Sequence, residues 1–145
     1  MTWLENWVTK LSNHVDRQFD ELIDKKDFEA AQDAYIAGDF KTALVSYESL
    51  AARNHGRAAA LAGSMYLMGT GIKANGVKAL TYLEIGKNAG DPDAISLLGL
   101  AYAAGKAGIK IDYIKARPLL EAASKIGDEK ARQMLKHIKN MQKAK

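Results

Sequence analysis

AISLLGLAYAAGKAGIKIDYIKARPLLEAASKIGD, residues 94–128, restates AAALAGSMYLMGTGIKANGVKALTYLEIGKNAGD, residues 58–91. Ala58, Gly63, Tyr66 and Gly69 return as Ala94, Gly99, Tyr102 and Gly105, each 36 positions on. After a one-residue insertion, Gly71, Lys78, Ala79, Gly90 and Asp91 return as Gly108, Lys115, Ala116, Gly127 and Asp128, each 37 on. Self-similarity at this period marks stacked helical pairs, because one pair cannot cover its own apolar face and neighbours must share a core. The expected fold is all-α: an α-α superhelix (solenoid) of about three helix pairs, with N-terminal and C-terminal capping helices.

Working outward, three junctions frame the repeats. Gly90-Asp91-Pro92 places a glycine where a helix ends in the left-handed region, an aspartate able to cap the next helix, and a proline at its first position. Gly127-Asp128 and Gly38-Asp39 repeat the stop-and-start signal. Helices are expected near 40–54, 57–68, 77–89, 92–104, 113–126 and 129–142. Each repeated residue has a packing role. Gly63 and Gly99 remove a side chain where helices approach closely, Tyr66 and Tyr102 fill the space between paired helices, and Gly69, Gly71, Gly105 and Gly108 sit in loops needing unusual backbone angles.

At the N-terminus, Thr2 and Glu5 suit a capping box. Leu4, Val8, Leu11, Val15, Phe19 and Leu22 follow helical spacing as one apolar stripe. Phe28 falls well off that stripe, so a helix break or kink is expected near Asp24–Asp27. The chain then divides into an N-terminal amphipathic helix (1–26), repeats over 27–128 (about 27–56, 57–91 and 92–128), and a basic C-terminal capping helix (129–145).

The repeated phrase resembles the Sel-one-like repeat family, a longer-looped relative of tetratricopeptide repeats. The second copy carries the resemblance through Ala94, Leu98, Gly99, Tyr102, Gly105, Gly108, Asp112, Lys115, Ala116, Ala123 and Gly127. The first carries it through Ala58, Gly63, Tyr66, Gly69, Gly71, Lys78, Ala79, Tyr82, Ala89 and Gly90, departing where Ala62 replaces the usual leucine and Asn75-Gly76 stands near the usual aspartate. Ala34, Gly38, Phe40, Ala43 and Tyr47 look like a degenerate tetratricopeptide-type unit upstream. The resemblance implies a non-enzymatic, protein-binding scaffold with adaptor or regulatory roles. A narrower version is a bacterial immunity protein that neutralises a secreted effector toxin.

By that resemblance, the first helix of each pair lines a concave face. The partner-binding residues are then Gln32, Tyr35 and Ile36 from the first unit, Arg57, Ala60, Ser64, Leu67 and Met68 from the second, and Asp93, Ser96, Leu100 and Ala103 from the third. Tyr35, Leu67, Met68 and Leu100 form an apolar groove suited to a helix or extended peptide. The competing reading has the N-terminal helix filling that groove. Trp3 and Trp7 share an edge of the first helix; exposed, they would anchor an interface or homodimer, but such residues more often cover core. Nothing else in the sequence supports a homo-oligomer.

Asp16, Asp20 and Asp24, with Glu21 nearby, form an acidic column that suits a basic partner. They lie on the expected solvent face without histidine or a pocket-forming loop, so a solvated helix face is the default and no metal is expected. His14, His55 and His137 are scattered. Gly69-Thr70-Gly71 and Gly105-Lys106-Ala107-Gly108 follow helices, not strands, and lack the phosphate-loop spacing. No nucleophile–base pair is recognisable, so neither catalytic residues nor cofactors are expected.

Charge is unevenly spread: residues 1–40 carry nine acids against four bases, net −5, and residues 129–145 carry one acid against six bases, net +5. Such a polar rod orients a charged partner during encounter. The basic tail has no interleaved aromatics, which disfavours nucleic acid and leaves another protein as the expected partner, a bacterial toxin or effector in the narrower version. The chain has no cysteine, no signal-peptide pattern and no membrane span, and reads as cytoplasmic.

Overall fold

In the computed structural model, which describes residues 2–145, the chain forms seven α-helices: α1 (Trp3–Ile36), α2 (Phe40–Ala52), α3 (Gly56–Met68), α4 (Gly76–Asn88), α5 (Pro92–Ala104), α6 (Tyr113–Lys125) and α7 (Glu129–Lys143). One short 3-10 turn, Lys106–Gly108, follows α5, and no strand occurs among the described residues. All seven helices open on a side chain that accepts a hydrogen bond from the backbone N–H three residues on: Thr2, Asp39, His55, Asn75, Asp91, Asp112 and Asp128. Each satisfies a donor that the helix start leaves unpaired. Gly69 and Gly105 end α3 and α5 in the left-handed region, with φ of 71° and 66°.

Consecutive helices pack as antiparallel neighbours. In addition α3 touches α5 and α5 touches α7, so the first helices of successive pairs form one layer, with α2, α4 and α6 behind. Glycines set the spacing within pairs. A Cβ on Gly63 would lie 2.6 Å from Leu83 Cγ, and one on Gly99 would lie 2.9 Å from Leu120 Cδ2. Leu83 and Leu120 are themselves equivalent positions of the two copies, and both are fully buried. Between pairs, a Cβ on Gly86 would come within 2.6 Å of Ala94 Cβ.

The tyrosines seal the hairpins. Tyr66 donates to Glu48 on α2 at 2.5 Å and stacks on Tyr82, with ring centroids 5.8 Å apart. Lys78 lies over the Tyr66 ring at 5.3 Å and Lys115 over Tyr102 at 5.4 Å, so both copies build the same cation–π contact. Burial, with the Glu48 hydrogen bond second, pushes the Tyr66 hydroxyl up to about 12.

The expected break near Asp24–Asp27 does not occur: α1 runs unbroken through the 1–26/27 division. At 100° per residue, the stripe from Leu4 to Leu22 and the packed positions Phe28 and Ala31 lie roughly half a turn apart on one helix. The apolar face changes sides instead of the helix ending. Phe28 packs on Tyr47 and stacks on His55, while Arg53 reaches Asp24 at 2.7 Å and Asp27 at 2.9 Å. From Thr2 to Ile23 every residue is exposed, so Trp3, at 79%, and Trp7, at 52%, cover no core.

Candidate protein-binding groove

Small and apolar side chains on α3 and α5, facing Met134 of a mostly polar α7 wall, leave an open groove of about 690 Å³ along the layer of first helices. Ala60, Leu61, Leu97, Leu100, Ala101 and Met134 line it with Leu67 and Met68. The edges are polar. At one end Arg57 of α3 pairs with Asp93 of α5. At the other, Lys106 Nζ approaches Met68 Sδ to 3.5 Å. Ser96, buried on α5, donates to Asp128 Oδ2 at 2.6 Å, while Asp128 Oδ1 caps α7 through the Ala131 N–H at 2.9 Å. The hydrogen bond from Ser96, and then that from Ala131, hold the Asp128 carboxyl below the usual carboxylate range. This one carboxylate ties α7 to α5 and fixes the third wall.

Of the residues expected to meet a partner, Arg57, Ala60, Ser64, Leu67, Met68, Asp93, Ser96 and Leu100 all line this groove. Gln32, Tyr35 and Ile36 do not: they are exposed near the end of α1, outside its lining. Ala103 is buried in the core beside Leu120 and Leu135 and does not line it either. Asp16 and Asp20 stand exposed on the projecting part of α1, whereas Asp24 is drawn into the Arg53 ion pair, so the acidic column is split. The N-terminal helix does not occupy the groove.

Sequence reasoning missed the third wall: Lys130, Gln133, Met134 and His137 on α7, and Lys106 before it. The signal was present. Asp91, Ala94 and Leu98 return as Asp128, Ala131 and Leu135, each 37 on, so α7 begins a third copy of the phrase. Within the groove Asp93 is paired with Arg57 and Asp128 with Ser96, which leaves Lys106 and Lys130 to set a positive rim around an apolar floor. Among the described residues no three His, Asp or Glu side chains converge as a metal site would need, and no helix is long and apolar enough to cross a membrane.

The sequence profile of the Sel1 repeat matches residues 56–91 and 92–128, just over half of the 145 residues and the two copies that build α3 to α6. The chain belongs to the Sel1 repeat family. Solved structures share the Sel1 architecture. The crystal structure of c5321, a protective antigen present in uropathogenic Escherichia coli strains, superposes with a TM-score of 0.68 at 20% identity, covering 77% of this chain and 25% of that one. A Sel1 repeat protein from Oxalobacter formigenes gives 0.66 at 23% identity, covering 75% and 44%. Helicobacter pylori cysteine rich protein B gives 0.58 at 21% identity, covering 77% and 94%. The chain thus spans a quarter and less than half of the first two proteins. At these identities the likeness is one of fold. No curated protein sequence matches the chain.

Proposed function

We propose that this Sel1 repeat chain is a non-enzymatic scaffold that holds a segment of a partner protein in the groove between α3, α5 and α7. The observation that carries this reading is the groove itself, an apolar floor walled by three stacked helices and ringed by Lys106 and Lys130. Sel1 repeat proteins commonly serve as protein-interaction scaffolds. Such a floor takes apolar side chains at helical or alternate spacing, and the rim selects acidic flanks on the incoming segment. The walls are already packed, so binding orders little of this chain's backbone. Nothing in the lining favours a toxin over any other protein, so the immunity version has no support beyond the general one.

The test compares affinity capture by the wild type with capture by a Met68→Glu, Ser64→Arg double variant. Met68 is exposed and Ser64 half-exposed, so the substitutions alter the groove without opening the core. A partner held in the groove is enriched by the wild type and falls at least tenfold with the variant, equivalent to ~1.4 kcal/mol of binding, while thermal unfolding is unchanged. Equal capture by both proteins, or capture of nothing by either, removes the proposal.

A further inference from the structure

We propose that the chain pairs with a second copy of itself through the projecting part of α1, as a parallel two-stranded coiled coil; this inference does not depend on the groove. Nine large apolar side chains between Trp3 and Ile23 are exposed, from 43% at Val15 to 79% at Trp3. All but Trp3, which stands off the stripe, expose on the order of 800 Å² together, above the few hundred Å² of apolar patch that monomers carry and comparable to the ~800 Å² per partner of a standard interface. The chain's own solenoid cannot cover this surface. Because α1 is unbroken, its first part cannot fold back, and its stripe faces roughly half a turn away from Phe28 and Ala31, the positions that join the core beside α2.

A second copy fits by pattern, charge and space. Leu4, Val8, Leu11, Val15 and Leu22 fall at the a and d positions of one heptad register, with Leu4 and Leu11 at d and Val8, Val15 and Leu22 at a. Valine at a with leucine at d over the first two heptads favours two parallel strands. Gln18 is the one polar residue of the seam between Leu4 and Leu22, and a single polar layer of this kind fixes register. Asp16, Asp20 and Asp24 fall at the outer positions b, f and c, so pairing brings no acids together. Glu21 at g stands opposite Lys26 at e of the second strand, an attractive pair in the parallel arrangement. With the stripe pointing away from the solenoid, two helices meet back to back and the solenoids stay on the outside. An anionic bilayer is the wrong occupant, since helices that lie on membranes carry a basic polar face and this one is acidic.

Sedimentation velocity on the full chain across a concentration series tests the pairing. The expected species has twice the 15.8 kDa chain mass. A Leu11→Asp, Val15→Asp double variant, at positions exposed in the monomer, returns to a single chain mass while the thermal unfolding of the solenoid is unchanged. Because the chain has no native cysteine, Val15→Cys reports the register directly: mild oxidation links it into a covalent dimer, whereas Asp20→Cys at an outer position does not link. A wild type that sediments as one chain overturns the proposal, as does a dimer that survives the double variant. A dimer dissociated by Met68→Glu instead would place the helix in the second copy's groove and overturn the coiled coil. Sedimentation of a monomeric wild type with anionic vesicles, lost in the double variant, would assign the stripe to a membrane. Failure of Val15→Cys to cross-link within a dimer overturns the parallel register.

Discussion

Ser96 and Asp128 show how one hydrogen bond links repeat architecture to the groove wall. The serine hydroxyl is the buried polar group of α5, and its donation to Asp128 satisfies it while positioning the first turn of α7. The bond is to an ionised acceptor, so it is stronger than a neutral one and holds the carboxyl below its ordinary range. A carboxyl depressed in the folded state stabilises the protein above its unfolded value, and this contribution is lost as pH falls through the folded value. Ser96→Ala should therefore cost about 1 kcal/mol at neutral pH. The difference from the wild type should begin to shrink below about pH 4, where an ordinary aspartate, as in the variant and the unfolded chain, takes up its proton. It should be gone once the pH falls through the lowered folded value of Asp128. Urea unfolding of both proteins over a pH series checks this; a difference independent of pH would contradict the role given to the carboxylate.

Among the elements, helix pairs are set by the room that glycine leaves. Gly63→Ala adds a methyl 2.6 Å from Leu83 Cγ, while Gly99→Ala adds one 2.9 Å from Leu120 Cδ2. Alanine favours a helix by up to ~1 kcal/mol over glycine, but forcing a methyl into a filled core costs ~1–3 kcal/mol. Gly63→Ala should lower the unfolding temperature, and Gly99→Ala should lower it less. A stabilised Gly63→Ala would show that the pairs have slack at this crossing. The same local chemistry made the helices legible: cap residues and left-handed glycines place α3 to α7 within a residue or so of their expected limits. Two features were not legible for a common reason. Periodicity reports which face is apolar, but not what covers it. The change of face near Asp24 therefore read as a break, although Arg53 holds Asp24 and Asp27 on a continuous helix. Likewise α7 read as a cap because its basic outer face dominates its composition, although Ala131 and Leu135 place it in the stack. The groove positions on α3 and α5 were legible through the family resemblance, which implies that the first helix of each pair lines the concave face. Gln32, Tyr35 and Ile36, placed on the same face by extending that resemblance to the upstream unit, lie outside the groove's lining.

At the scale of the molecule, the solenoid and the projecting half of α1 have opposite characters. The first 40 residues carry a net charge of −5, and the last 17 carry +5. The acidic end bears an apolar stripe with no cover in its own chain, whereas the basic end closes a groove whose floor is apolar and whose rim is positive. Two separate surfaces thus face outward, one suited to a second copy and one to a different protein with acidic flanks. A partner segment lying across three helices must slow exchange on all three at once. Hydrogen–deuterium exchange on the chain, alone and bound to a partner enriched by affinity capture, is the most direct measurement. Protection of residues 57–68, 93–104 and 128–137 together, with the rear helices α4 and α6 unchanged, is the predicted result. Protection confined to α4 and α6, or to α1 alone, would contradict the groove as the binding surface.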